Sequence, residues 1–348
     1  MLIAVTISNR YCLAENAKKN EIYLCPGCRG PVRLKQGKSN VAHFAHVSKV
    51  ACAGFSEGES ADHLAGKLAI YRYFKGKVPV QIEPVLTEID QRPDLLVGRP
   101  GSQVAIEYQC SPISQVDLNR RNQGYEKVGI RVWWILGPGY YQKRLSMATI
   151  CRFWLAGRLW FYLPGEKSTF VRDSDYSKAD FKKRSQIRNF LSDPLHIKSS
   201  ALPNWTAVFN SNTLFQSVKR PVLDIKRQRS KLSLQLAREQ INPQIVTYLY
   251  EKGFRVDQIP DICLVGQSFG LKVPNWQYRL IIILLLEKAG EKGRSRQELL
   301  TRMARYFYLN FLYQKEVMND FLEELHKGGF IQIESEKVFI KTVPPYKE

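Results

Sequence analysis

Residues 92–109 read Arg92-Pro93-Asp94-Leu95-Leu96-Val97-Gly98-Arg99-Pro100-Gly101-Ser102-Gln103-Val104-Ala105-Ile106-Glu107-Tyr108-Gln109. Two short apolar runs flank a turn rich in Gly and Pro, the pattern of a β-hairpin. Such a hairpin brings Asp94 and Glu107 side by side at strand ends. Side chains alternate along a strand, so Gln109 shares the face of Glu107 while Ile106 and Tyr108 point the other way. Two carboxylates on one edge with a polar group beside them suit magnesium or manganese and phosphodiester hydrolysis. The competing reading is an ordinary hairpin whose acids pair with some of the chain's many Lys and Arg residues.

The 348 residues suffice for two or three domains with real cores. Lys and Arg number 52 against 32 Asp and Glu, a formal charge of +20. Solubility alone requires far less. The excess points to a polyanionic partner, and nucleic acid fits best because phosphate neutralisation supplies most non-specific affinity. Met1 to Thr6 is apolar but short and lacks a basic flank, so no signal peptide is expected. The apolar run Leu280 to Leu286 is too short to span a bilayer, and no membrane insertion is expected. Seven cysteines, an odd number, point to a reducing cytoplasm.

Four sections are expected: residues 1–57, 58–150, 151–275 and 276–348. The first holds Cys25-Pro26-Gly27-Cys28, then His43-Phe44-Ala45-His46 and Cys52. A Cys-x2-Cys knuckle sets two thiolates one tetrahedral edge apart. Cys52 and His46, or His43 in its place, complete a structural zinc site. The run from Val32 to Val41 resembles the small hairpin of a zinc ribbon, and a zinc-ribbon-like module is expected here. Cys12, Cys110, Cys151 and Cys263 are isolated and read as ordinary half-buried thiols.

The second section reads as an α/β unit. From Ser60 to Phe74, Leu64, Leu68 and Tyr71 recur at helical spacing, and Glu59, His63 and Lys67 share the opposite, polar face. A strand from Val78 to Leu86, the two acid-bearing strands, a helix from Asp117 to Lys127 and a buried strand from Ile130 to Leu136 follow. Helix, three-strand meander, helix, strand is the core order of the restriction-endonuclease-like fold.

Taken together, Cys-Pro-x-Cys, His-Phe-Ala-His, the Glu59 to Lys67 segment, Arg92-Pro93-Asp94, Ile106 to Ser111, Arg121 to Tyr125 and Trp133-Trp134-Ile135-Leu136-Gly137 resemble the competence protein CoiA family, in family order, over roughly residues 20–140. The resemblance implies a nuclease-like domain of the PD-(D/E)XK group. Asp94 and Glu107 match that group's metal-binding acids. Gln109 stands where the general pattern has Lys, and Glu59 resembles the acid that some of these nucleases carry on the first helix. It also implies a cytoplasmic role in handling incoming DNA, single-stranded or branched, during natural transformation, beside recombination proteins.

Residues 151–275 are expected to be basic and mainly helical, with clusters at Lys182-Lys183-Arg184, Lys219-Arg220 and Lys226 to Lys231. From Trp276 the pattern is three helices and a hairpin, which resembles a winged helix. Its third helix carries Glu316, Asp320, Glu323 and Glu324, and an acidic helix is ill suited to reading a major groove. A structural or partner-binding role is expected for it.

Two functions compete. In the first, a metal-dependent deoxyribonuclease, Asp94 and Glu107 hold one or two divalent ions and Gln109 orients a water without taking its proton. Arg121 and Tyr125 clamp phosphate, and His63 and Lys67 are placed as further phosphate contacts. In the second, the same fold binds DNA without cutting it, as a recombination mediator. Unneutralised acids on a DNA-facing surface repel phosphate, which favours the enzyme.

Overall fold

Serine caps set two of the elements that build the site. Ser60 accepts the amide of His63 and starts a helix, and Ser114 does the same with the amide of Asp117. The computed structural model describes residues 1–37, 41–47, 59–165, 168–197, 203–209, 222–308 and 311–347.

In chain order, the first strands are β1 (Ile3–Thr6), β2 (Tyr11–Leu13), β3 (Tyr23–Leu24), β4 (Pro31–Lys35) and β5 (His43–His46). Then come α1 (Ala61–Phe74), β6 (Val80–Ile82), β7 (Leu95–Val97), β8 (Val104–Gln109), α2 (Gln115–Lys127), β9 (Arg131–Leu136), α3 (Pro138–Tyr141) and α4 (Met147–Phe153). Next are β10 (Leu159–Leu163), β11 (Thr169–Ser177), β12 (Ser185–Leu191), α5 (Thr206–Phe209), α6 (Ile225–Ala237), α7 (Pro243–Glu251) and α8 (Asn275–Ala289). The chain closes with β13 (Arg294–Ser295), α9 (Arg296–Met303), α10 (Phe311–Lys327), β14 (Ile331–Glu334) and β15 (Lys337–Ile340). The fold is mixed α/β with several sheets.

Two compact units divide this chain. The first takes Met1–Leu145, Arg158–Asp173 and Arg188–Asn210, and the second Ser146–Gly157, Ser174–Ile187 and Ser211–Glu348. The break expected at residue 150 is therefore crossed more than once, and residues 1–47 lie in the same unit as α1 to β9.

Within the first unit, the N-terminal strands make a five-stranded sheet in the order β2-β1-β3-β4-β5. This exceeds the single small hairpin read from Val32 to Val41. A second sheet runs β12-β11-β10-β9-β8-β7-β6. Its centre is β7 antiparallel to β8, with Leu95 opposite Ile106, and β8 parallel to β9, with Glu107 opposite Trp134. Every residue of β7 and all but the last of β8 are buried, as strands covered on both faces require. The order α1, meander, α2, β9 is found as read, except that the first meander strand is only Val80–Ile82. It stops at Glu83, whose backbone turns to φ +51.

Residues 159–191 correct the helical expectation for the third section, since they form β10, β11 and β12. The aromatics of Leu159-Trp160-Phe161-Tyr162-Leu163 are buried on the sheet, with the rings of Trp133 and Trp160 edge to face at 5.2 Å. Lys182-Lys183-Arg184 lies before β12, Lys226 to Lys231 lies on α6, and Lys219-Arg220 falls outside the described residues.

In the second unit, Ser295 caps α9 by accepting the amide of Glu298. The Glu298 side chain pairs with Arg294 and Arg302. Pro274 offers no cap to α8, so Asp180 accepts the amides of Asn275 and Trp276, each at 2.8 Å. The short β13 joins the hairpin in the sheet β13-β15-β14. Glu324 of α10 holds the buried Arg279 at 2.6 Å, a packing role for one of the acids. Among the described residues, no helix is long and apolar enough to cross a membrane.

One close approach seats α1 on the sheet. A Cβ at Gly66 would fall on the ring of Tyr108, which is buried and donates its hydroxyl to the carbonyl of Tyr162 at 3.0 Å. Gly66→Ala should destabilise the protein by about 1–3 kcal/mol through overpacking. Denaturant unfolding reads this, and an unchanged midpoint would show that α1 does not need the contact.

Candidate active site

Helical spacing of four puts Glu59, His63 and Lys67 on one side of α1 or its N-terminal approach. The glycine contact turns that side toward β7 and β8. The polar face, two of whose residues were expected to contact phosphate, is thus an inward face. Lys67 is 1% exposed, and its ammonium lies among three carboxylates: Glu59, Glu83 at 2.6 Å and Asp94 at 3.2 Å. It cannot reach a phosphate, and its expected role as a DNA contact is corrected on that ground.

Glu83 escaped the sequence reading. It is buried at the end of β6, and its carboxylate also accepts the amides of Leu2 (2.9 Å) and Ile3 (3.3 Å). The signal was present: an acid followed by Pro84 interrupts an apolar run. Positive φ at a non-glycine residue is a strained conformation, sustained here by what the side chain holds.

Asp94 immediately precedes β7, and β8 fixes it by donating the Tyr108 amide to its Oδ2 at 2.8 Å. Its Oδ1 faces Nε2 of His63 at 3.1 Å. Burial pushes this carboxyl up, but the charges of His63 and Lys67 override burial and hold it well below the usual range. Glu59 behaves alike: burial opposes, yet Lys67 and the amino group of Met1, 2.6 Å away, lower it to about 2. Burial lowers His63, and the carboxylate of Asp94 reverses this and raises it.

Glu107 has a different setting. It is 2% exposed, and its Oε1 accepts two bonds from Arg121, at 2.7 and 3.1 Å, and one from the hydroxyl of Tyr125. Burial pushes Glu107 up to about 7 against the pull of Arg121, and the charge of Asp94 adds to the rise. Arg121 and Tyr125, expected to clamp phosphate, instead clamp this acid. Tyr125 is fully buried, so that expectation is corrected for it; Arg121 keeps part of its surface on the cavity.

The groups converge on a cavity of about 630 Å³ lined by Glu59, His63, Asp94, Glu107, Gln109 and Arg121. Gln109 shares the cavity with Glu107 as alternation requires, and its amide donates to the carbonyl of Ser111 at 2.7 Å. Exposed Arg120 lies on the same wall. Cys110 borders it too, but burial raises its thiol to about 12, which leaves it inert. The two acids meet at one edge of the hairpin, and each is also paired with a basic side chain. The oxygen donors of Glu59, Asp94 and Glu107 suit a hard divalent cation.

A second cluster lies at the knuckle. Sγ of Cys25 and of Cys28 and a ring nitrogen of His46 lie within 4.8 Å of one another. Sγ of Cys28 is 3.3 Å from Nε2 of His46, and Arg29 takes φ +58 in the turn. Burial and the nearby positive charges of the Met1 amino group and Arg92 lower His46, favouring the neutral ring that a metal needs. Antiparallel pairing of β4 with β5 sets His46 opposite Val32, while His43 lies opposite Lys35 and engages the carbonyl of Val41. Soft thiolates with an imidazole fit zinc. Cys52 lies outside the described residues.

Two family models match the chain in series. One, described as the N-terminal domain of competence protein CoiA, covers residues 8–55, and one described as its nuclease-like domain covers residues 59–191. The competence protein CoiA of Bacillus subtilis (strain 168) is 37% identical over 129 residues, which are 37% of this chain and 35% of that protein's length. No solved structure matches. With both domain models matched in order and this level of identity, the chain belongs to the competence protein CoiA family.

Proposed function

We propose that this protein is a metal-dependent deoxyribonuclease that processes incoming DNA in natural transformation and homologous recombination, in the cytoplasm. The observation that carries the reading is the convergence of Asp94, Glu107, Gln109 and Glu59 on one cavity. In this reading α1, the β6 to β8 meander, α2 and β9 form a restriction-endonuclease-like core. The zinc cluster braces the N-terminal module, and the C-terminal helices and hairpin form a winged-helix-like unit that contacts protein partners.

A bound magnesium or manganese ion supplies Lewis-acid polarisation of the scissile phosphate and a water of lowered pKa. The chain's own groups do the rest. The Tyr108 amide fixes Asp94, Arg121 and Tyr125 fix Glu107, and Gln109 orients the attacking water through its amide. Arg120, exposed on the cavity wall, takes over the phosphate contact that Tyr125 cannot make. Basic residues elsewhere on the chain draw the polyanion in.

A second reading, a DNA-binding recombination mediator that no longer cuts, draws support from a different observation. Glu59, Glu83 and Asp94 already meet the ammonium of Lys67, and Glu107 meets Arg121, so each of these four acids has a protein cation beside it.

Cleavage of labelled single- and double-stranded DNA with magnesium, manganese or chelator separates the two. Asp94→Ala should abolish cleavage; a parent-like rate would show that the acid pair is not the active site, and no cleavage by the parent protein with either metal would leave the non-catalytic reading standing. For Glu107 the useful variant is Gln, because Ala would strand the partly buried Arg121 at roughly 3–5 kcal/mol. Glu107→Gln should also be inactive. Gln109→Ala should slow cleavage on the order of 10²-fold, as loss of one positioned contact does. Gln109→Lys should be tolerated, and Glu59→Ala should fall between Gln109→Ala and Asp94→Ala.

DNA affinity should fall steeply with salt, depend little on sequence and survive Asp94→Ala. A flat response across a salt series contradicts the basic-surface reading. Freshly purified protein should contain one zinc, held by Cys25, Cys28, His46 and Cys52. Cys25→Ser should release it and loosen the N-terminal strands, while undiminished zinc in that variant excludes the site.

A further inference from the structure

The acids of the cavity differ in what they can offer an incoming cation. Oε1 of Glu107 is occupied by two bonds from Arg121 and one from Tyr125. Asp94 spends Oδ2 on the Tyr108 amide, and its Oδ1 lies between His63 and the ammonium of Lys67. There, Nε2 of His63 stands 3.1 Å from Oδ1 of Asp94 and 3.8 Å from Oε1 of Glu59. Ligand atoms of these three residues lie within 4.8 Å of one another. Neighbouring ligands of an ion held at about 2.1 Å stand roughly 3.0–3.5 Å apart, so little movement closes this set on a metal.

We propose that His63 is itself a metal ligand, with Asp94 and Glu59, and that the site therefore selects a first-row transition cation such as manganese over magnesium. This rests on the nuclease-site reading above and adds a donor to it. The imidazole had been placed as a phosphate contact; its Nε2 is directed at two carboxylates instead. Magnesium takes oxygen ligands and keeps its waters, whereas a nitrogen donor gains affinity along the transition series.

Lys67 does not block the ion. It is the inner member of the cluster, 1% exposed and anchored on Glu83, while the side chains of Glu59 and Asp94 (13% each) and His63 (20%) keep an opening on the cavity side. An ion entering from the cavity shares the oxygens of Asp94 and Glu59 with an ammonium that stays bound beneath them. Ser60 adds precision: by accepting the His63 amide at 3.2 Å it starts the helix where the ring reaches the acids.

The test is metal binding by the full-length protein without DNA. Manganese titration followed by electron paramagnetic resonance, with magnesium as competitor, should show at least a ten-fold preference for manganese. Pulsed spectra of the bound ion should show coupling to an imidazole nitrogen. His63→Gln and His63→Asn should remove that coupling and weaken manganese binding about 10-fold or more, with magnesium binding little changed. Two variants guard against one that misfolds, and circular dichroism checks each. Unchanged manganese affinity and nitrogen coupling in a folded variant overturn the proposal. Equal affinity of the parent protein for the two ions also overturns it. Cleavage is scored separately: manganese binding that needs His63 without any cleavage keeps this assignment and removes the nuclease, whereas cleavage with a His63-independent ion keeps the nuclease and removes the assignment.

Discussion

The ammonium of Lys67 is the point on which the site depends. A cation stripped of water is costly unless its partners are close and themselves satisfied. Here Glu83 and Asp94, from the two sides of the meander, meet Glu59 from the approach to α1 around one charge. The same charge keeps the acids ionised against burial. Helix, meander and N-terminal strands are tied at that point, because Glu83 also accepts amides from β1 and the residue before it.

Two devices surround it with different chemistry. On the Asp94 side the acids stay anionic and open toward the cavity through His63. On the Glu107 side, Arg121 and Tyr125 from one turn of α2 fill an oxygen, and burial favours the proton. The pair of acids is therefore asymmetric: one stays anionic beside His63 and Lys67, the other is held in place by its own helix. This asymmetry is what a symmetric picture of two equivalent acids lacks.

Local patterns carried much of the fold. Alternating and apolar runs located β7, β8 and β9, and the run from Ser60 to Phe74 located α1, because these signals act between residues near in sequence. Trp160-Phe161-Tyr162 is equally plain as strand material, yet residues 151–275 were expected to be mainly helical, and β10 to β12 were missed. Their place is settled by the apolar neighbours β9 provides, which no local pattern reveals.

By itself, the sequence determined which residues are available: the acids of the hairpin, the Cys-x2-Cys knuckle, the Glu59, His63 and Lys67 row, and the overall excess of positive charge. These follow from residue type and spacing. Only the tertiary structure decided which partner each charge takes. Gly66 lets α1 sink onto Tyr108, so Lys67 faces inward to acids and not outward to phosphate. β8 and α2 pack so that Arg121 and Tyr125 close on Glu107, and Glu83 joins from a strained turn. The reason is physical: an ion pair depends on distance and burial, and both are set by packing between segments far apart in the chain.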